Sequence, residues 1–277
     1  MNSLEPLSRL TAAPRRQIGL LTSLAGALLV AFFLAPNALA RSSVNTANVG
    51  DSFSRGFVAY WGSGSQDFPA QLETTVGFWF RFHLVKAGVS ALLLVVSVAL
   101  GVVLWRRFRQ QLSGRAGRVP FLLPGAPVGV LGLFALVALV ANLQGAAAPF
   151  VSLLPMLTSD GADDELSATL AQVQQQLAVP PGGQHSPALT LMISEFATYH
   201  AVLAGMAALV ALALAGASVV LWRRLKTSSD VRARRAMKFG GTASALLAAI
   251  VLVIAFANTT NAVDSPQALA NFFAGGW

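Results

Sequence analysis

The chain is predicted to be an all-α integral membrane protein: a bundle of five transmembrane helices, or four if the N-terminal segment is cleaved, with a helix pair duplicated in parallel. Three observations predict this. Apolar residues make up 55% of the chain and charged residues only 11%, far from the balance of a water-soluble domain of this length. Apolar runs long enough to cross a bilayer recur along the chain. One of them, Phe82 to Arg107, returns at 199–224 with a constant offset of 117 residues.

Composition also excludes chemistry. With no cysteine in the sequence, disulfides, thiolate metal sites, iron–sulfur clusters and cysteine nucleophiles are all ruled out. A net charge of +8 does not point to nucleic acid, because the basic residues sit in short segments flanking apolar spans. There is no glycine-rich phosphate loop, no His-Glu-x-x-His and no Gly-x-Ser-x-Gly. The acidic run Asp160 to Glu165 lacks the spacing of a calcium loop and reads as a solvated segment leading into a helix N-terminus.

The first apolar run, Ile18 to Leu34, follows Arg9, Arg15 and Arg16. It reads either as an uncleaved first helix or as a secretory signal of the twin-arginine kind, with Ala38-Leu39-Ala40 as the cleavage site. Next comes a polar segment in which Phe53, Phe57, Tyr60 and Trp61 recur at helical spacing. That pattern suits a short amphipathic helix, packed under the loop rather than lying on the bilayer, since it has no lysine-rich face. Phe78, Trp79, Phe80 and Phe82 then supply interfacial rings.

From His83 to Trp105 a helix rises about 33 Å, close to the hydrocarbon thickness of a bilayer. The third span is Val128 to Ala148, the fourth Ala201 to Trp222 and the fifth Gly240 to Ala257. Between the third and fourth, Leu166, Leu170, Val173 and Leu177 mark an amphipathic helix over 164–178, with Asp163 or Asp164 near its start and Pro180-Pro181-Gly182-Gly183 ending it. No Asp or Glu falls within any predicted span, which argues against proton- or ion-coupled transport.

Charge fixes the expected orientation. Segments placed inside by this scheme carry fifteen of the nineteen Lys and Arg and two of the eleven acids, so the N-terminus is expected in the cytoplasm and the C-terminus outside. The basic loops suit anionic lipid headgroups rather than nucleic acid. The whole chain reads as one membrane domain: 1–40 a signal anchor or signal peptide, 41–80 and 155–195 extracytoplasmic loops, 82–154 and 199–262 the two repeats, and 263–277 an extracytoplasmic tail.

The repeat rests on twelve identities in twenty-six aligned positions, including His83 with His200 and the shared Val-Val-Leu-Trp-Arg-Arg end. The following spans match at an offset of 116, pairing Ala141-Asn142 with Ala257-Asn258. Copies running in the same direction imply a pseudo-twofold axis along the membrane normal. The exits of the first and fifth spans are also alike: Asn45-Thr46-Ala47-Asn48 resembles Asn258-Thr259-Thr260-Asn261, and each leads into an aromatic segment.

His83 and His200 are the candidate site residues. Paired by the repeat, they could ligate one haem b iron from opposite sides; otherwise each anchors its helix at the interface among aromatic neighbours. Lys86 is expected to snorkel outward. Asn142, Gln144, Asn258 and Thr259 could line a polar cavity or bond between helices. No catalytic residue and no non-haem metal ligand stands out.

The Arg15-Arg16 start, Phe82-His83, Leu104-Trp105-Arg106, Ala141-Asn142-Leu143-Gln144-Gly145 and the Gly275-Gly276-Trp277 end together resemble a group of uncharacterised actinobacterial multi-spanning membrane proteins, some described as carrying a twin-arginine signal. That resemblance implies a bacterial plasma membrane and no activity. The leading expectation is a non-enzymatic scaffold or accessory component that binds a protein or envelope lipid on its extracytoplasmic face. The alternatives are a bis-histidine haem b electron-transfer protein and a path for lipid or small solutes.

Overall fold

In the computed structural model the described residues are 5–112, 122–158, 163–179 and 184–275. Arg115, Arg118, Pro120, Asp160, Pro180 to Gly183 and the Gly276-Trp277 end lie outside them. The regular elements of the described chain are all helices, in the order α1 (Glu5–Ala40), α2 (Val49–Ser63), α3 (Ala70–Leu112), α4 (Leu122–Ala147), a 3-10 helix (Val151–Leu157), α5 (Asp164–Leu177), α6 (Pro187–Thr227), α7 (Val231–Val263) and α8 (Ser265–Phe273). Five of these are long and apolar enough to cross a membrane: α1, α3, α4, α6 and α7. The protein is an all-α membrane bundle.

The outward faces of these five helices show which solvent they meet. Leu20, Leu34, Leu209, Leu212, Leu246 and Phe256 are all more than 60% exposed. Apolar exposure on that scale is untenable in water and ordinary in lipid. With no hydrophobic drive between helices in lipid, small residues and polar contacts do the joining. The buried positions of α6 include Ala204, Ala207 and Ala211, and α7 is its most extensive helical neighbour.

The helices outrun the apolar runs that reveal them. α3 begins at Ala70, before His83, and α6 at Pro187, before Ala201. Apolar content marks only the stretch that needs lipid, whereas i to i−4 hydrogen bonds continue into polar turns wherever tertiary packing supports them. Consequently Glu73 and Glu195, assigned by sequence to loops, sit on helices that also cross the membrane.

The chain divides into two compact units. The first comprises 1–46 and 78–146, and the second 47–77 and 147–277. In the first, Ala25 of α1, Leu93 and Val96 of α3 and Ala135 of α4 form a buried cluster. Phe32 of α1 meets Phe134 of α4 edge to face at 5.3 Å between centroids. The Lys86 ammonium lies 4.4 Å from the centre of the Phe32 ring and 5.2 Å from that of Phe82. The ammonium therefore makes a cation–π contact with two rings, beside the outward reach expected from sequence.

In the second unit the short helices make a layer of their own. Phe150, just ahead of the 3-10 helix, is fully buried, with Phe53, Phe57, Tyr60 and Phe68 around it at 5.1–6.3 Å. α2 is therefore a packed helix, its aromatic face turned inward, and it ends at Gly64 with φ 63°, a left-handed residue that glycine adopts without strain. Trp61 Nε1 donates to Gln172 Oε1 of α5 at 3.0 Å, and Gln174 Nε2 donates to the Phe273 carbonyl of α8 at 2.8 Å. α5 starts where the sequence placed it: the Asp163 carboxylate accepts from Leu166 N at 2.8 Å, an N-cap.

The two similar exits differ in form. Asn45 to Asn48 forms the turn after α1, whereas Asn258 to Asn261 is still helical, within the last turns of α7. Each nevertheless leads to a short helix with a buried aromatic face, α2 or α8.

Candidate functional site

Each candidate histidine meets an asparagine on the next membrane helix of its own unit. His83 of α3 lies in the first unit, and its Nδ1 is 2.9 Å from Asn142 Oδ1 of α4. His200 of α6 lies in the second, with Nδ1 2.7 Å from Asn258 Oδ1 of α7. The asparagines are oriented by their own helices, since Asn142 Nδ2 donates to the Ala138 carbonyl at 2.7 Å and Asn258 Nδ2 to the Ile254 carbonyl at 2.9 Å. Rotating either amide would place its oxygen against a carbonyl oxygen. Oδ1 is thus the acceptor in both pairs, Nδ1 of each ring is the donor, and the neutral imidazole keeps its lone pair on Nε2.

A bare Nε2 behind a hydrogen-bonded Nδ1 is what metal ligation requires, and equally what accepting a hydrogen bond from a ligand requires. The two rings differ in what surrounds that nitrogen. Nε2 of His83 is buried with no hydrogen-bond partner among the described residues. Its ring packs flat on the α4 backbone at Gly145, where a Cβ would come within 2.7–2.8 Å of three ring atoms. Trp79 closes another side, edge on at 4.7 Å.

His200 instead lines a cavity of about 650 Å³. The 3-10 helix, α6, α7 and α8 supply its walls, with Val151, Leu154, Phe196 and Phe272 on the apolar side and Tyr199, Thr260, Asn261 and Asn271 among the polar lining. At the position 116 residues after Gly145 stands Asn261. Phe196 is 4.5 Å from the His200 ring, tilted against it.

Glu195, one turn before Tyr199, accepts from the Val151 amide at 3.4 Å and so ties α6 to the start of the 3-10 helix. On α2, outside the membrane-crossing helices, burial and the carboxylates of Glu195 and Asp67 push the Tyr60 phenol up to about 12. Its hydroxyl donates to the Gln66 carbonyl at 3.3 Å.

Of the residues singled out by sequence, His83, His200, Asn142 and Asn258 are brought into two matched pairs, and Thr259 bonds back to the Ala255 carbonyl. Gln144 is buried. Neither Phe150 nor Glu195 is legible as a site residue from sequence, whereas the aromatic segment on α8 that walls the cavity is. Phe150 stands alone between two helices with no periodic neighbours, and Glu195 looked like one more acid in an acidic loop. No group of three or more His, Asp or Glu that could hold a metal ion occurs among the described residues. No protein-family model, curated protein or solved structure matches the chain.

Proposed function

We propose that the protein is an accessory component of a bacterial plasma membrane, N-terminus in the cytoplasm and C-terminus outside, that binds an envelope lipid or protein through its extracytoplasmic face. The observation that carries this reading is the layer of short helices in the second unit, which roofs a cavity at the end of α6 and α7. A cleft with apolar walls and a few convergent polar groups suits a ligand better than it suits helix packing alone. Orientation is supported by the basic residues around the α6–α7 connection, where Arg234 also donates to the Leu225 carbonyl at 2.9 Å.

Two further expectations belong to this reading. The helix pairs α3–α4 and α6–α7 derive from one duplicated pair, a view supported by the recurrence of the same atoms in both histidine–asparagine contacts. The first helix stays in the mature protein, a view supported by the burial of Ala25 and Phe32 in the first unit. The full-length chain purified in mild detergent should carry a specific lipid or protein, identified by mass spectrometry and depleted in Phe272→Ala. Co-purification of bulk membrane lipid only, unchanged by that substitution, contradicts the reading.

The rival reading is haem b ligation by His83 and His200, favoured by the lone pair on Nε2 of both rings. A Soret band lost in His83→Ala or His200→Ala supports it, and a colourless preparation after haem-supplemented expression rejects it.

A further inference from the structure

We propose that the cavity beside His200 binds the headgroup of an uncharged lipid bearing a free hydroxyl, with His200 Nε2 accepting a hydrogen bond from that hydroxyl. The inference rests on the proposed extracytoplasmic binding role and names the class of ligand. Three observations lead to it.

The first is charge. No lysine, arginine, aspartate or glutamate lines the cavity among the described residues. A phosphate or ammonium headgroup would enter a low-dielectric site with no counter-charge, at a cost that hydrogen bonds from Thr260 and Asn261 would not offset. The ligand headgroup is therefore neutral.

The second is donor–acceptor sense. His200 Nδ1–H donates to Asn258 Oδ1 at 2.7 Å, so the neutral ring presents Nε2 as an acceptor. A carbonyl, ether or ester oxygen has no proton to give it. A hydroxyl has, and its oxygen can in turn accept from the side-chain amide of Asn261. Apolar walls beside this polar end, formed by Leu154, Phe196 and Phe272, take the start of an acyl or prenyl tail.

The third is the contrast with His83. There the ring lies against Gly145, and its Nε2 is buried with no hydrogen-bond partner among the described residues. At the corresponding place in α7 the residue is Asn261, which lines the cavity rather than letting the ring settle on the backbone. One histidine–asparagine pair is a closed helix joint and the other is the same joint opened to a ligand. The volume, about 650 Å³, falls within the usual range for a small-molecule site.

The test uses full-length protein in vesicles of uniform lipid background, each doped with one photoactivatable probe: diacylglycerol, the same lipid with its hydroxyl methylated, or phosphatidic acid. Diacylglycerol should label peptides from α6 and α8 around Phe196 and Phe272. Methylation, or His200→Phe, should cut that labelling roughly three- to tenfold, the value of one net hydrogen bond. Asn261→Leu, which leaves the His200–Asn258 contact in place, should do the same and guards against loss of fold in the histidine variant. Equal labelling by the methylated probe or by phosphatidic acid overturns the inference. If none of the three probes labels the cavity but a protein cross-links to α2 or α8, the lipid inference fails while the binding role stands; if neither occurs, both fail.

Discussion

His200 Nδ1 lies 2.7 Å from Asn258 Oδ1, and the asparagine is itself held by the Ile254 carbonyl one turn back, so the side chain of one membrane helix fixes the tautomer of a ring on its neighbour. Nitrogen NMR of the imidazoles should find Nδ1 protonated and Nε2 bare in both His83 and His200. Asn142→Leu and Asn258→Leu should each destabilise the protein by about 0.5–2 kcal/mol, measured by unfolding in mixed micelles, the range for polar contacts between membrane helices. The loss should be larger for Asn142→Leu, since it leaves both nitrogens of a buried ring unpaired.

Gly145→Ala should cost more than an ordinary helical exchange. Alanine is the better helix former, yet its Cβ would meet the His83 ring at 2.7–2.8 Å. Either the ring or α4 must shift, at about 1–3 kcal/mol. Gly145→Ala placed in a His83→Ala background should lose that penalty and gain stability, and additive effects in the double variant would contradict the packing described.

Tyr60, buried in the short-helix layer, should lower the stability of the fold at alkaline pH. An unfolded tyrosine ionises near pH 10, whereas Tyr60 in the folded protein does so only at about 12. Below pH 10 both states keep the proton and Tyr60 contributes no pH dependence; between 10 and 12 the unfolded state loses it first, so stability falls as pH rises. The chain has two tyrosines, and Tyr199→Phe leaves Tyr60 as the only phenol to follow by ultraviolet absorbance. A midpoint near 10 in the folded protein would mean that the ring is open to water.

Asp163→Ala should weaken α5 by about 1 kcal/mol through loss of its N-cap. Because α5 holds α2 through Trp61–Gln172 and α8 through Gln174, exchange of backbone amides should quicken in all three helices, while that of α6 and α7 is unchanged.

What the sequence disclosed follows from the range over which its signals act. Apolar run length, aromatic spacing on α2 and the Asp163 cap are local, and each corresponds to an observed element. Helix ends were misjudged wherever tertiary contacts extended a helix beyond lipid, as at Ala70 and Pro187. The histidines were legible through the repeat, but their asparagine partners stand 59 and 58 residues away, and only helix pairing reveals them. The ring contact of Lys86 is not legible locally, because Phe32 belongs to another helix.

The central claim, a polytopic protein whose ligand-binding end faces outward, is tested most directly by labelling single cysteines with a membrane-impermeant maleimide on intact cells, which the cysteine-free chain makes straightforward. Ala178, at the exposed end of α5, and Ser229, in the basic connection between α6 and α7, are the positions to change. Ala178→Cys should react in intact cells and Ser229→Cys only after the membrane is permeabilised; the reverse pattern would put the cavity on the cytoplasmic side and contradict the account.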